Sequence, residues 1–213
     1  MKYNTYIFDL DGTILDTLLD LANAVNFAMR SKGFPERTVD EVRSFIGNGI
    51  KVLIKRSVPA DTDEENYNEA LEIFRKYYLE HIADYTKPYD GITDVINELK
   101  SKGCNTAVVS NKTHVAAQAV VKDFFGDIFD IVVGKMEEFP PKPEPDSLLN
   151  AIKTLGVEKS DCIYIGDSDV DVLTAHNAGI ECIGVTWGNR DEYVLLKSGA
   201  EYIAHTPKEI LDI

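Results

Sequence analysis

The apolar positions of the chain change period several times, and those changes divide it into elements. Lys2 to Leu10 starts with alternation and ends in the apolar run Tyr6-Ile7-Phe8, after which Asp11-Gly12-Thr13 forms a turn; a short buried strand and a loop are predicted. Similar segments follow at Asn105 to Val109, Ile128 to Val133, Cys162 to Ile165 and Glu181 to Val185, with a weaker one at Glu201 to Ala204. Between them the spacing becomes helical. Ile92, Val95, Ile96 and Leu99 keep i, i+3, i+4, i+7 spacing, with Gly103 beyond them as a stop, and Leu148, Ile152 and Leu155 keep it up to Gly156. Val115, Ala119 and Val120 follow it loosely, and Val170, Leu173 and Asn177 follow it up to Gly179. Strands alternating with helices of this length predict βαβ units and an α/β, Rossmann-like core with a mostly parallel sheet.

Residues 16–86 break the alternation. Leu18, Leu21, Ala22, Val25 and Ala28, then Val52, Leu53 and Val58, then Tyr67 to Tyr78 are helical in pattern, and Gly33-Phe34-Pro35, Gly47-Asn48-Gly49 and Pro59 to Asp63 punctuate them. The predicted organisation is a core domain from residues 1–15 and 87–213, with a helical cap domain inserted at 16–86. An insert just beyond a strand's carboxyl end belongs over the place where open α/β sheets bind ligands, which makes it a lid candidate.

Charge narrows the function. The chain of 213 residues carries 22 Lys+Arg against 36 Asp+Glu, a formal net charge of −14. Nucleic acid and anionic membranes need a basic face, so neither is an expected partner. An anionic small substrate is compatible, provided that a local cation, most simply a metal, offsets the acidic field. Cys104, Cys162 and Cys182 are scattered without a CxxC spacing, as expected for free thiols in a reducing compartment. With no signal peptide, lipidation motif or long apolar span, a cytoplasmic location is expected.

Four clusters carry candidate chemistry. Asp9-Leu10-Asp11-Gly12-Thr13 puts two acids, i and i+2, at the end of a buried strand, where uncompensated carboxylates are costly; one suits a nucleophile or metal ligand, and the other reaches the same pocket from the loop. Gly166-Asp167-Ser168-Asp169-Val170-Asp171 places three acids at another strand end, a donor set for a hard cation such as Mg²⁺, although Asp169 also suits plain helix-terminus chemistry. Ser110-Asn111 ends a third strand, where a hydroxyl and backbone N–H groups opening a helix form an anion cradle or an ordinary cap. Lys142 stands in the four-proline string Pro140-Pro141-Lys142-Pro143-Glu144-Pro145 and is presented with little backbone freedom. All four fall on one edge of one predicted sheet.

In this order, Asp9-Leu10-Asp11-Gly12-Thr13, Ser110-Asn111, Lys142-Pro143 and Gly166-Asp167-Ser168 with Asp171 resemble the haloacid dehalogenase-like hydrolase superfamily over essentially the whole chain. The insert looks like that family's small helical C1 cap. Asp16-Thr17-Leu18-Leu19-Asp20-Leu21 and Ile46-Gly47-Asn48-Gly49 look most like its phosphoglycolate phosphatase-like branch. The resemblance implies a Mg²⁺-dependent phosphatase acting on a small phosphorylated metabolite. Asp9 would form an aspartyl-phosphate, and Asp11 would protonate the leaving alkoxide and then activate water. Asp9, the backbone carbonyl of Asp11 and Asp167 would hold Mg²⁺, with Asp171 in support. Ser110 and Asn111 would bind phosphoryl oxygens, and Lys142 would hold nucleophile and phosphate in register. Gly47, Asn48, Gly49 and Arg43 are the candidates for reading a substrate carboxylate.

Other readings stay open. A pyrophosphatase or nucleotidase of the same superfamily would share the motifs. A β-phosphoglucomutase would need a His five residues beyond the acid at Asp16, and Leu21 stands there. A phosphonatase would need a cap Lys, for which Lys51 and Lys55 are solvated-looking candidates. A phospho-Asp signalling domain would explain the acids but not Gly12-Thr13 or the insert. A silent binding module would have lost one of Asp9, Asp11, Lys142 or Asp167. Trp187-Gly188-Asn189-Arg190 follows the fifth strand and is a candidate rim of the site, with packing the favoured reading of Trp187, and the four histidines show no ligand spacing.

Overall fold

A computed structural model describes residues 2–213. Two compact units result, one of the chain up to Asp16 and from Pro88 onward, the other of Thr17–Lys87. The strands are β1 (Thr5–Phe8), β2 (Leu15–Asp16), β3 (Lys87–Pro88), β4 (Asn105–Thr113), β5 (Ile131–Lys135), β6 (Cys162–Gly166), β7 (Glu181–Val185) and β8 (Tyr202–Ala204). The helices are α1 (Leu18–Ser31), α2 (Val39–Phe45), α3 (Ile50–Ser57), α4 (Glu64–Glu80), α5 (Ile92–Ser101), α6 (His114–Phe125), α7 (Asp146–Leu155), α8 (Asp169–Ala178) and α9 (Glu192–Ser198).

In the first unit six parallel strands are ordered β5-β4-β1-β6-β7-β8. Central β1 and β6 are buried along their whole length, as near-continuous apolar strands of a parallel sheet must be when both faces are covered. Ile7, Ala107, Val109, Val133 and Tyr164 pack with Leu148 and Ile152 of α7 and with Val172 and Ala175 of α8. Each fully buried aliphatic side chain contributes roughly 1.5–3 kcal/mol. From β1 the chain builds outward through β4 and β5 on one side and through β6, β7 and β8 on the other. The order reverses at β1, and such a reversal opens a crevice at the carboxyl ends of the flanking strands.

Several elements depart from the sequence expectation. The strand beginning at Asn105 runs on to Thr113, because pairing with β5 resumes at Thr113↔Lys135 after a register shift beyond Val109. Ser110-Asn111 therefore lies within β4, not at a helix start, and α6 opens only at His114. The strand predicted from Ile128 begins at Ile131, and β2 with β3 forms a two-stranded sheet that periodicity did not show. In α6 the buried stripe is Ala117, Val120 and Val121, whereas Val115 is 79% exposed and Ala119 is exposed. Small apolar residues on several faces left the phase of that helix undetermined by pattern. In α8 Leu173 and Asn177 face solvent, while Asp171 and Thr174 share the buried side with Val172, Ala175 and Ala178. Polar residues held inside hide such a stripe.

The second unit is helical throughout α1 to α4. Val25, Ala28 and Met29 of α1 meet Val42, Leu53, Ile54, Ala70, Leu71 and Phe74 in its core. Thr38 and Glu41 form a capping box at the start of α2, and Asp63 caps α4 through the Asn66 N–H. The carboxylate of Asp20, buried on α1, accepts hydrogen bonds from the Tyr85 and Thr86 N–H groups and from the Thr86 hydroxyl. Among the described residues no helix is long and apolar enough to cross a membrane.

Candidate active site

The end of β1 delivers Asp9 and the end of β6 delivers Asp167, on neighbouring strands at the point where the strand order reverses. The Asp9 N–H donates to the Ile165 carbonyl at 2.8 Å, which carries the β1–β6 ladder one residue further and fixes where the carboxylate emerges. Beyond it the chain turns: the Leu10 carbonyl accepts from the N–H groups of Thr13, Ile14 and Leu15. Gly12 sits at φ +92°, and a Cβ there would lie 2.3 Å from an Asp167 carboxylate oxygen. Glycine is demanded both by the backbone conformation and by the closeness of Asp167.

Asp9, Asp167 and Asp171 are all buried, and each offers a carboxylate oxygen such that the three lie within 4.8 Å of one another. Lys142 enters this cluster. Its ammonium donates to Asp9 Oδ1 at 2.7 Å, to Asp171 Oδ1 at 2.6 Å, to the Tyr164 hydroxyl at 3.0 Å and to the Val109 carbonyl at 3.4 Å. The Tyr164 hydroxyl in turn donates to the Val109 carbonyl at 2.8 Å. Asp171 is also the N3 residue of a capping box: its Oδ2 accepts from the Ser168 N–H and hydroxyl, and its own N–H donates back to Ser168 Oγ. Both of its oxygens are thus engaged, so Asp171 backs the cluster and ties it to the first turn of α8. Asp169, in the same turn, faces outward and pairs with Arg190 at 3.3 Å.

Burial pushes the Asp9 carboxyl up to about 7, the Lys142 charge pulling it down and Asp171 and Asp11 pushing it up. Burial also pushes Asp167 up to about 8, reinforced by Asp171 and Asp9. For Lys142 burial acts to lower the value, but the Asp171 and Asp9 carboxylates override it and hold the ammonium charged. One cation among three buried carboxylates leaves negative charge uncompensated. The donors are oxygens only, without thiol or imidazole, which fits a hard divalent cation such as Mg²⁺.

Asn111 is tied to the loop that carries Lys142. Its side-chain amide donates to the Lys142 carbonyl at 3.2 Å and accepts from the Lys142 N–H at 2.9 Å, so it pins the backbone that presents Lys142. Ser110 is buried, and its hydroxyl accepts from the Lys112 N–H at 3.2 Å. Arg43, Gly47, Asn48 and Gly49 lie in the helical unit. Arg43, on α2, pairs with Asp40 at 3.4 Å, and the glycines connect α2 to α3 with φ of +114° and +81°.

Two residues of the site, Tyr164 and Lys112, carry no expectation from the sequence. In sequence Tyr164 is indistinguishable from the apolar residues of its strand. Lys112, one position past Ser110-Asn111, pairs with Asp11. The loop after β7 closes on Asp167: the Asn189 N–H donates to Asp167 Oδ2 at 2.6 Å, and Trp187 Nε1 donates to the Thr13 carbonyl at 3.0 Å. Trp187 therefore braces the Gly12-Thr13 turn in addition to packing near Tyr89. A Cβ on Gly188 would fall 2.3 Å from both Asp167 Cβ and the Gly12 carbonyl oxygen. Gly188→Ala is expected to lower stability by about 1–3 kcal/mol through overpacking, read as a fall in Tm; an unchanged Tm would mean that the loop does not pack against Asp167.

Residues 6–185 match the family model described as haloacid dehalogenase-like hydrolase. A phosphoglycolate phosphatase of Aquifex aeolicus is 36% identical over 193 residues, covering 90% of this chain and 87% of its own. A phosphoglycolate phosphatase of Colwellia psychrerythraea is 31% identical over 212 residues, 96% of this chain and 94% of its own. A haloacid dehalogenase-like family hydrolase from Streptococcus pneumoniae superposes with a TM-score of 0.90 at 27% identity, over 99% of this chain and 98% of its own.

Proposed function

Because the chain belongs to the haloacid dehalogenase-like hydrolase family and is a phosphatase, we propose that it is a cytoplasmic, Mg²⁺-dependent enzyme that hydrolyses 2-phosphoglycolate through an aspartyl-phosphate on Asp9. The observation that carries this reading is the set of three buried carboxylates with Lys142 driven between two of them, at the reversal point of the sheet.

Asp9 supplies the nucleophile: one of its oxygens attacks phosphorus as the ester oxygen leaves. Asp11 gives its proton to that leaving oxygen and later takes one from the water that cleaves the aspartyl-phosphate, restoring Asp9 and releasing phosphate. Lys142 fixes the orientation of Asp9 and opposes the negative charge that gathers in the transition state. Asp9 and Asp167, with the Asp11 carbonyl, would hold Mg²⁺ and Asp171 would support them. The ion's chemistry there is charge stabilisation of the phosphoryl oxygens.

Support for a two-carbon phospho-acid comes from the names of the relatives and from the strings around Asp20 and Gly47-Asn48-Gly49, whose N–H groups, with Arg43, suit a carboxylate. Leu21 is buried in the core of the helical unit, so the position a mutase needs for a titratable group is apolar and water is the final acceptor. The free, buried cysteines suit a reducing compartment. The test compares kcat/KM for 2-phosphoglycolate, hexose phosphates, nucleoside monophosphates and pyrophosphate. Activity is expected to vanish in chelator, to return with Mg²⁺ and to return poorly with Ca²⁺. A kcat/KM for 2-phosphoglycolate well below the others would remove the substrate but keep the phosphatase, whereas full activity in excess chelator would remove the metal site.

A further inference from the structure

The two acids of the first motif are served by two different lysines. Lys142 is saturated by Asp9, Asp171, Tyr164 and the Val109 carbonyl. Asp11 is held instead by Lys112, whose ammonium donates to Asp11 Oδ1 at 2.7 Å and to Oδ2 at 3.0 Å. This is no solvated surface pair: the Lys112 side chain is 5% exposed and that of Asp11 18%. Taking an ammonium so far out of water is unfavourable unless the geometry returns the loss, and two short hydrogen bonds to one carboxylate are such a geometry.

The backbone that carries Lys112 is fixed on two sides. Its N–H donates to the Ser110 hydroxyl within the stretch where β4 shifts register against β5. On β5, Gly134 lies so close that a Cβ there would stand 2.7 Å from the Lys112 carbonyl oxygen. The irregular end of β4 thus directs a lysine at the carboxylate two residues past the nucleophile.

We infer that Lys112 is the positioning residue of the acid/base: through two hydrogen bonds it holds the Asp11 carboxylate in the orientation from which Asp11 exchanges its proton with the leaving oxygen and then with water. When Asp11 passes its proton to the ester oxygen and the phosphorus–oxygen bond breaks, the carboxylate left behind is the one that Lys112 grips. The same grip keeps it aimed for the water of the second step. The inference rests on the proposed role of Asp11.

The experiment is single-turnover phosphoryl transfer from an alkyl phosphate and from 4-nitrophenyl phosphate, which has a good leaving group and needs little protonation. Wild type is compared with Lys112→Met, Lys112→Arg, Asp11→Asn and the double variant Asp11→Asn/Lys112→Met, with Lys112→Gln replacing the Met variant if that does not fold. The Met variant is expected to slow transfer from the alkyl phosphate about 10–100-fold at saturation and from the aryl phosphate less than about 3-fold. Arg, which keeps the charge and a paired fork of donors, is expected to recover most of the loss. The double variant is expected to be no slower than Asp11→Asn alone, because Lys112 acts only through Asp11. Equal losses on both esters, an additive double variant, or a loss confined to KM would overturn the inference; the last would make Lys112 a substrate-binding group. If Asp11→Asn itself fails to separate the two esters, the acid/base reading of Asp11 falls, and this inference falls with it.

Discussion

Asp9→Asn abolishes turnover, by roughly 10⁴-fold or more, and leaves the fold intact. The loss follows from chemistry: an amide oxygen in place of a carboxylate oxygen is a poor nucleophile for phosphorus, and a charged donor to a divalent cation goes with it. The intact fold follows from the electrostatics of the site. Burial already pushes Asp9 up to about 7, so its ionised form is held at a cost that the neutral amide does not carry. Against this, Lys142 exchanges one of its two carboxylate partners for an amide oxygen that still accepts a hydrogen bond. The two effects oppose one another, and Tm is expected to stay within about 4 °C of wild type, equivalent to ~1 kcal/mol in a chain of this size. Activity above a few per cent of wild type in a preparation free of wild-type enzyme would sink the nucleophile assignment.

The parts of this site that were legible in the sequence are those where a polar residue interrupts an apolar run. Asp9 after Tyr6-Ile7-Phe8 and Asp167 after Ile163-Tyr164-Ile165-Gly166 stand out because a buried strand has no reason to end in an acid unless something nearby uses it. What the sequence hid lies in contacts between distant segments. Asn189 meets Asp167 from a loop 22 residues away, and Lys112 meets Asp11 across 101 residues. Each lies beside a string that the sequence marks, Trp187-Gly188 for the first and Ser110-Asn111 for the second, but nothing in either string names the distant carboxylate that it meets. Ser110-Asn111 reads as a helix start because a polar tetrad, Ser110-Asn111-Lys112-Thr113, looks like the end of a strand. Only pairing with β5 keeps that tetrad in the sheet, and pairing is a property of the assembled fold. Asp171 and Thr174 misled in the opposite way: polar residues required inside made the buried face of α8 look like a surface one.

The largest stability effect belongs to Lys142. Lys142→Met preserves the length of the side chain and removes the only ammonium hydrogen-bonded to Asp9 and Asp171 among the described residues. Breaking a buried ion pair by deleting one partner typically costs about 3–5 kcal/mol, because the remaining charge has neither water nor a counter-ion. For a chain of this length that is a fall in Tm of roughly 6–20 °C. Activity is lost as well, since Asp9 loses the group that orients it. The deficit also depends on pH in a fixed sense. Asp9 and Asp167 are pushed up to about 7 and about 8 even with Lys142 present, and the pull of Lys142 on Asp9 is downward, so its removal sends Asp9 higher. A carboxyl that stays protonated in the folded chain but ionises on unfolding, near its ordinary value of about 3.9, makes the folded state lose stability as pH rises from that value through the folded one. The variant's deficit should therefore be smaller at pH 5.5 than at pH 8, when both proteins are melted in chelator so that no divalent cation offsets the carboxylates. A deficit that is equal at the two pH values would show that the loss comes from packing around Tyr164 and the Val109 carbonyl, and not from carboxylates left without their cation.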